Sequence, residues 1–432
     1  MSTELVGLIG IFVLIILMFA RVPIGFAMAF VGLTGLTYLK GFENALAVLA
    51  IVPYGQIANY AITVVPLFVL MGSIASNAGI SGDLYETAHK WFGQLPGGLA
   101  IATIGACAAF AAICGSSMAT ATTMGRVALP EMKKHQYDPA LASGVVASGA
   151  TLGILIPPSL GFIIYGILTE QSIGELFMAG ILPGILLSVL FMITILIITK
   201  FNPNAALPGE RTTFREKIIS LKKTWAMLLL FLLVMGGIYM GVFTPTEAGG
   251  IGAFGSIIIT GCMRRLSGKI FIESLTETAQ TTAMITVIII GAFVFMHFLT
   301  ISKAVFAMAG FVGDLPFPSY GIFMIVILIY LIIGMFLDVM AGMVLTIPII
   351  FPVITQLGFD PIWFGVMCVI LMELGLITPP VGLNVFVLSG TADVPIGTIF
   401  RGVTPFVVAM LFCISILTIF PEIALFLPSL MK

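Results

Sequence analysis

"ATLGILIPPSLGF", residues 150–162, is too apolar for a surface loop, yet it carries Pro157 and Pro158 where a buried helix should run on. "ELGLITPPVGLNV", residues 373–385, repeats the device with Pro379 and Pro380. A proline has no N–H for the carbonyl four residues earlier, and its ring clashes with that carbonyl, so each pair breaks the helix it interrupts. Two such breaks in apolar sequence leave backbone polar groups unpaired. What those groups are for decides the fold.

Composition places both breaks in a membrane. Of the 432 residues, 60% are hydrophobic and 9% charged. The segments 5–20, 181–199, 225–242, 283–299 and 402–420 approach or reach the ~20 apolar residues that cross a bilayer core. Runs this continuously apolar exclude a β-barrel, whose strands are short and alternating. The expectation is an all-α polytopic membrane protein. The opening "MSTE" lacks the positive charge of a secretory leader, so the first apolar run is expected to stay as a spanning helix. Cys107, Cys114, Cys262, Cys368 and Cys413 have no metal spacing and read as packing residues rather than disulfide partners. His89, His135 and His297 lack metal spacing too. No catalytic triad, HExxH or P-loop is present, which argues against an enzyme or an ATP-driven pump, and no nucleic-acid partner is expected.

Slid against itself by 222 residues, the chain superposes Pro157–Pro158 on Pro379–Pro380. The same gapless shift places Met118 on Met340, Pro130 on Pro352, Asp138–Pro139 on Asp360–Pro361, Gly153 on Gly375, Gly180 on Gly402 and Pro183 on Pro405. Chance matches between apolar segments fall on Leu, Ile or Val, whereas here every proline between 116 and 183 finds a proline. The chain is therefore expected to hold two repeats, about 1–200 and 224–432. Scaffold helices would occupy 1–96 and 224–316. Each repeat would close with a re-entrant hairpin, a proline-broken helix and a last helix, in 97–200 and 317–432. Between them, 201–223 places Phe214, Ile218 and Leu221 at helical spacing opposite a basic face, continuing to Trp225. This reads as a helix from about 209 lying on the cytoplasmic membrane surface, its basic side held by anionic lipid, with a solvated linker as the alternative.

Lysine and arginine set the orientation. With the N-terminus outside, and five spans plus one hairpin per repeat, Arg21, Lys90, Lys133, Lys134, Lys200, the cluster at 211–223, Arg264, Arg265, Lys269 and Arg401 fall inside. Only Lys40, Lys303 and Lys432 fall outside. An odd number of spans turns the second repeat upside down, so the repeats are expected to be inverted.

The first hairpin, 97–134, has "CGSSMATATT" at its middle, and the second, about 317–357, has "LDVMAGMVLT". Non-helical backbone at membrane depth is tolerated only where it is buried in protein or lines a cavity. Carbonyls freed by the prolines, with Ser and Thr hydroxyls nearby, suit a small hard cation such as Na⁺, while half-helix N-termini offer N–H groups to an anion. One Na⁺ site is expected between Ser116, Ser117 and Thr120 and the residues Gly149, Thr151 and Gly153. Its mate is expected between Asp338 and Gly342 and the residues Thr378, Gly382 and Asn384. The expected substrate set is Ser117, Thr122, Arg126 and the four prolines. Plain proline kinks relieved by neighbouring helices are the alternative. Asp338 stands where the first repeat has Ser116, and Glu373 where it has Thr151. Acidic groups at this depth are costly and point to function: a cation ligand, a protonatable group, or a partner for Arg126. The assignment taken here puts Asp338 near Na⁺ and makes Glu373 a structural anchor.

"GSSMATATTMG", "GATLGILIPPS" followed by "YGILTE", and "LGLITPPVGLNVFV" together resemble the large membrane subunit of tripartite ATP-independent periplasmic (TRAP) transporters, over essentially the whole chain. The resemblance implies a bacterial inner-membrane protein that works with a small four-helix membrane subunit and a soluble periplasmic substrate-binding protein, both expected here as separate chains. It implies Na⁺-driven uptake of an organic acid anion, such as a C4-dicarboxylate, a keto acid or a sialic acid. It further implies an elevator, in which 138–168 and 361–389 slide past scaffold helices near 5–40 and 224–262. A self-sufficient Na⁺/carboxylate symporter is the nearest rival, and a channel or scaffold protein the more distant one.

Overall fold

Hydroxyl and carboxylate side chains punctuate the chain into helices. In the computed structural model, which describes residues 2–206, 212–313 and 316–431, Ser116, Asp138, Ser159, Asp338 and Asp360 each accept a backbone N–H of the turn they begin. Each such cap is worth about 1 kcal/mol. Among the described residues the chain is helical, with no strand. The first repeat opens with α1 (Thr3–Phe19), α2 (Ile24–Lys40), α3 (Phe42–Ile57), α4 (Val64–Asn77) and α5 (Ile80–Phe92). Its hairpin is α6 (Gly98–Cys114) and α7 (Ser117–Lys134). The broken helix follows as α8 (Pro139–Ala150), α9 (Leu152–Leu155) and α10 (Leu160–Thr169), then α11 (Ile173–Phe201). The second repeat runs through α12 (Phe214–Tyr239), α13 (Pro245–Cys262), α14 (Gly268–Ser302) and α15 (Ala304–Gly313). Its hairpin is α16 (Ser319–Gly334) and α17 (Val339–Gln356), its broken helix α18 (Pro361–Leu376) and α19 (Leu383–Ala392), and it ends in α20 (Ile396–Ile419) and α21 (Glu422–Ser429).

The offset seen in the sequence recurs in the elements. α7 and α17 start at 117 and 339 and end at 134 and 356, and α8 and α18 start at 139 and 361. Packing is reciprocal as well. α2 lies on α14 as α13 lies on α4; α8 lies on α20 as α18 lies on α11; α7 lies on α19 as α17 lies on α10. The second arm of each hairpin therefore holds the half-helix beyond the break in the other repeat.

Some expectations are revised. Among the described residues five helices are long and apolar enough to cross a membrane, seven if each bent pair counts as one span, against the five per repeat expected. α1, α2, α3, α6, α16 and α18 are apolar but no longer than 17 residues, which is ~25 Å against a core of ~30 Å. α12 runs from Phe214 to Tyr239 and bends by 56° between Ala226 and Leu228, close to the boundary expected at 223–224. Residues 209–211 of the expected surface helix lie outside the described residues. α12 begins with a capping box of Thr213 and Glu216. Its first half is tied to α5 by Trp91 Nε1 donating to the Lys217 carbonyl (3.1 Å) and by Lys223–Glu86 (2.7 Å). Arg265, just past α13, grips Asp83 of α5 through both its terminal nitrogens, at 2.5 and 3.2 Å.

The contacts expected between the broken helices and the scaffold differ as well. The broken helices α8 and α18 pack on their own hairpins and on α20 and α11. The scaffold is met mainly by hairpin arms, α6 against α4 and α5, and α17 against α14 and α15, rather than by 138–168 and 361–389 against 5–40 and 224–262. The glycine-rich α13 does pack closely, on α4, where a Cβ on Gly252 would lie 2.6 Å from Met71 Sδ. All five cysteines are free.

Candidate functional site

The first tip is tighter than its composition suggests. Gly115 turns the chain at φ 62, Ser116 caps α7 by accepting the Ala119 N–H (3.4 Å), and helix resumes at Ser117. The hydroxyls of the following turns stay within the helix: Thr120 donates to the Ser116 carbonyl (2.8 Å) and Thr122 to that of Met118 (3.0 Å). The tip meets the break directly. The Leu160 N–H donates to the Gly115 carbonyl (3.4 Å). A Cβ on Gly153 would lie 2.5 Å from Thr120 Oγ1 and 2.8 Å from the Ser116 carbonyl oxygen. Ser116, Thr120 and Gly153 thus come together as expected. Gly149 does not join them, because it faces Cys107 and Ile104 on the first arm. Thr151 turns its buried hydroxyl back onto the Ser148 carbonyl (2.6 Å).

At the first break the Pro157–Pro158 bond is cis, as is Pro379–Pro380. The Ile154 carbonyl, which Pro158 cannot reach, accepts the Ser159 hydroxyl instead. Ser159 Oγ in turn accepts the Phe162 N–H at 3.3 Å and starts α10. One serine therefore closes both sides of the break.

The second tip shares the backbone plan. Asp338 caps α17 by accepting the Ala341 N–H (3.2 Å), and the Gly382 N–H donates to the Met335 carbonyl (3.3 Å). Thr378 donates to the Leu374 carbonyl at 2.6 Å. Gly342 faces Met372 on α18 and Ile333 on α16 rather than the break. Asn384 lies in the first turn of α19. It is fully buried, and so is Glu373, 1% exposed; the Glu373 carboxyl faces the Asn384 side chain and, across the repeats, the Ser117 hydroxyl. Neither Glu373 oxygen nor either polar atom of Asn384 closes a hydrogen bond. Glu373 forms no ion pair within 4.0 Å among the described residues. The sequence paired groups within each repeat and so missed this grouping. Only the packing of α7 on α19 brings Ser117 to Asn384. The available signal was that Glu373 and Asn384 are polar residues flanking a break in apolar sequence.

Arg126 pairs with neither Asp338 nor Glu373, yet it shares a chamber with Asp338. That chamber, about 780 Å³, lies between the tips and the α4–α14 side of the scaffold, and Ser76, Asn77, Ser116, Thr122, Thr123 and Glu277 also wall it. Of the expected substrate set, Thr122 and Arg126 line it, whereas Ser117 and the four prolines do not. A second cavity of about 990 Å³ lies between α7–α8 and α19–α20; Arg126 walls it too, with Lys133, Arg401, Asp138 and Asp393.

Residues 11–423 match the family model described as the tripartite ATP-independent periplasmic transporter, DctM component. The chain is 36% identical over 400 residues to the C4-dicarboxylate TRAP transporter large permease protein DctM of Pseudomonas aeruginosa, covering 92% of this chain and 93% of that protein. It is 32% identical to the sialic acid TRAP transporter large permease protein SiaM of Vibrio cholerae, over 96% of each. In fold it is similar to the crystal structure of the YdaH transporter of Alcanivorax borkumensis, with a TM-score of 0.64 over 89% of each chain at 14% identity. A match over nearly the full length, joined to two proline-broken helices each seated on a hairpin tip, identifies this multi-pass membrane protein as a member of the DctM family, the large permease subunit of TRAP transporters.

Proposed function

We propose that the chain is the permease subunit of a Na⁺-driven importer of a small organic acid anion in the bacterial inner membrane, with its N-terminus periplasmic. It works with a separate small four-helix membrane subunit and a periplasmic binding protein that delivers the substrate. The chamber shared by Arg126 and the two hairpin tips carries this reading. It offers one unpaired guanidinium and several hydroxyls at the seam between repeats, and a guanidinium matches a carboxylate in a two-point fork. Relatives named for C4-dicarboxylate, sialic acid and 2,3-diketo-L-gulonate transport all concern carboxylates. With the basic helix ends in the cytoplasm, Asn77 and Glu277 put the chamber on the cytoplasmic side of the tips, an inward-facing state.

Na⁺ would supply the driving force and neutralise oxygens at the tips. The Ser116 carbonyl and Thr120 hydroxyl in the first repeat, and Asp338 with Thr378 in the second, are hard oxygen donors that fit it. Transport is an elevator step of the hairpins and broken helices along α4–α5 and α14–α15. The test is uptake into proteoliposomes with the small subunit and binding protein added. Uptake should need a Na⁺ gradient, and Ser116→Ala and Thr378→Ala should each raise the Na⁺ concentration for half-maximal rate. Full uptake without partners would favour a self-sufficient symporter, and flux uncoupled from substrate a channel. A cysteine cross-link between α17 and α14 should stop uptake, whereas one between α2 and α14 should not.

A further inference from the structure

We propose that Glu373, Asn384 and Ser117 form an additional Na⁺ site, set between the repeats and distinct from the two sites at the tip–break contacts. The inference rests on the Na⁺ coupling proposed above and names a further place where the ion acts. Glu373 lies in the last turn of α18, Asn384 in the first turn of α19, and Ser117 is the first residue of α7. The three are 1%, 0% and 3% exposed. Four of their side-chain polar atoms, both carboxyl oxygens of Glu373 and both amide atoms of Asn384, have no hydrogen-bond partner.

So many bare polar atoms facing one another inside a membrane protein are costly, since no water at this depth replaces the missing partners. No cation pairs with the acid within 4.0 Å among the described residues; of the helices packed on α18, α16, α17 and α19 contain no Lys, Arg or His, while α11 carries Lys200 and α20 carries Arg401. The carboxylate, the Asn384 carbonyl oxygen and the Ser117 hydroxyl are all hard oxygen donors, and together they carry a single negative charge. That donor set suits one Na⁺, which would satisfy the bare oxygens at once. Because Ser117 belongs to the first hairpin and the other two residues to the second broken helix, the ion would fasten the halves of the transport unit together. Loading it would favour their movement as one body.

The test is the thermal unfolding of the purified chain in lipid nanodiscs, in NaCl against choline chloride at equal ionic strength. A ligand that binds only the folded state raises its stability with concentration. Na⁺ should raise the midpoint of the wild-type chain. Glu373→Gln keeps the shape and removes the charge. It should melt higher than wild type in choline, where the buried acid has no counter-ion, and gain less from Na⁺. Asn384→Ala and Ser117→Ala should each raise the Na⁺ concentration for half-maximal stabilisation by roughly tenfold, equivalent to about 1.4 kcal/mol of binding, without raising the midpoint in choline. An undiminished Na⁺ increment in both Glu373→Gln and Asn384→Ala overturns the site, and so does a change that is equal in the two salts. The two failures are distinguishable. If wild-type uptake is Na⁺-driven and the variants keep the full increment, only this site falls; if wild-type uptake ignores Na⁺, the coupling falls with it.

Discussion

The two breaks share a backbone plan and differ in how completely their polar groups are satisfied. In the first, Ser159 closes the freed Ile154 carbonyl, Thr151 bonds Ser148, and Thr120 bonds Ser116. Only the Ser148 hydroxyl stays bare in that stretch. In the second, Val381 stands where Ser159 stands in the first, Gly382 rather than a hydroxyl starts the half-helix, and Glu373 and Asn384 face each other without bonds. A duplicated frame can thus keep its geometry while one copy trades internal satisfaction for unfilled oxygen ligands. The first break behaves as a finished joint and the second as a socket.

The largest effect tests the joint. Gly153→Val has no room, since even a Cβ would press on Thr120 and the Ser116 carbonyl, and overpacking of this kind costs ~1–3 kcal/mol or more. Uptake should fall to background with a lower unfolding midpoint, whereas Gly250→Val, which has open space, should transport normally. Equal tolerance of both would show that the first tip is looser than its contacts imply.

Next is Ser159→Ala, which strips the Ile154 carbonyl of its donor and α10 of its cap. Leaving a buried carbonyl bare costs about 1–3 kcal/mol, to be read in thermal unfolding. Val381→Ala, its mate in the second break, removes no hydrogen bond and should cost less. A reversal would contradict the contrast between joint and socket.

Where the repeats agree, the effects should agree. Asp138 accepts the N–H groups of Ala140 and Leu141, as Asp360 accepts those of Ile362 and Trp363, at 2.8–3.0 Å. Alanine at either position should lose about 1 kcal/mol, and clearly unequal losses would show that the two broken helices are not equivalent at their starts.

The smallest effect concerns a feature of one repeat only. The hydrogen bond from Lys223 holds the Glu86 carboxyl below the usual range, against an opposing effect of burial, with Lys90 lowering it further. A carboxyl lower in the folded than in the unfolded chain contributes stability above its unfolded pKa, and that contribution is lost as pH falls through the folded value. Glu86→Gln should therefore flatten the stability profile in the acid range and change little at neutral pH. The pair is well exposed, so the effect should be slight and should shrink with salt. Met308 stands at the corresponding place in the second repeat, and no comparable acid-range step should arise from α15.

Much of this molecule was legible in its residues because the relevant physics is local along the chain. Proline removes a specific hydrogen bond, Ser, Thr and Asp start helices within three residues, and a duplicated pattern repeats its punctuation at a constant offset. Those facts were sufficient for the helical membrane fold, the two hairpins, the two breaks and the contact of Ser116 and Thr120 with Gly153. Residue spacing did not show that the open side of Gly149 faces Cys107 and Ile104 on α6, nor that the open side of Gly342 faces Met372 on α18 and Ile333 on α16. Tertiary structure alone decided that α12 bends and runs on, that hairpin arms form the seam with the scaffold, and that Ser117 of one repeat meets Glu373 and Asn384 of the other. Such pairings depend on which faces of distant helices interdigitate, and that is settled by shape and volume across the assembled core, where neighbours in space need not be neighbours in any sequence period.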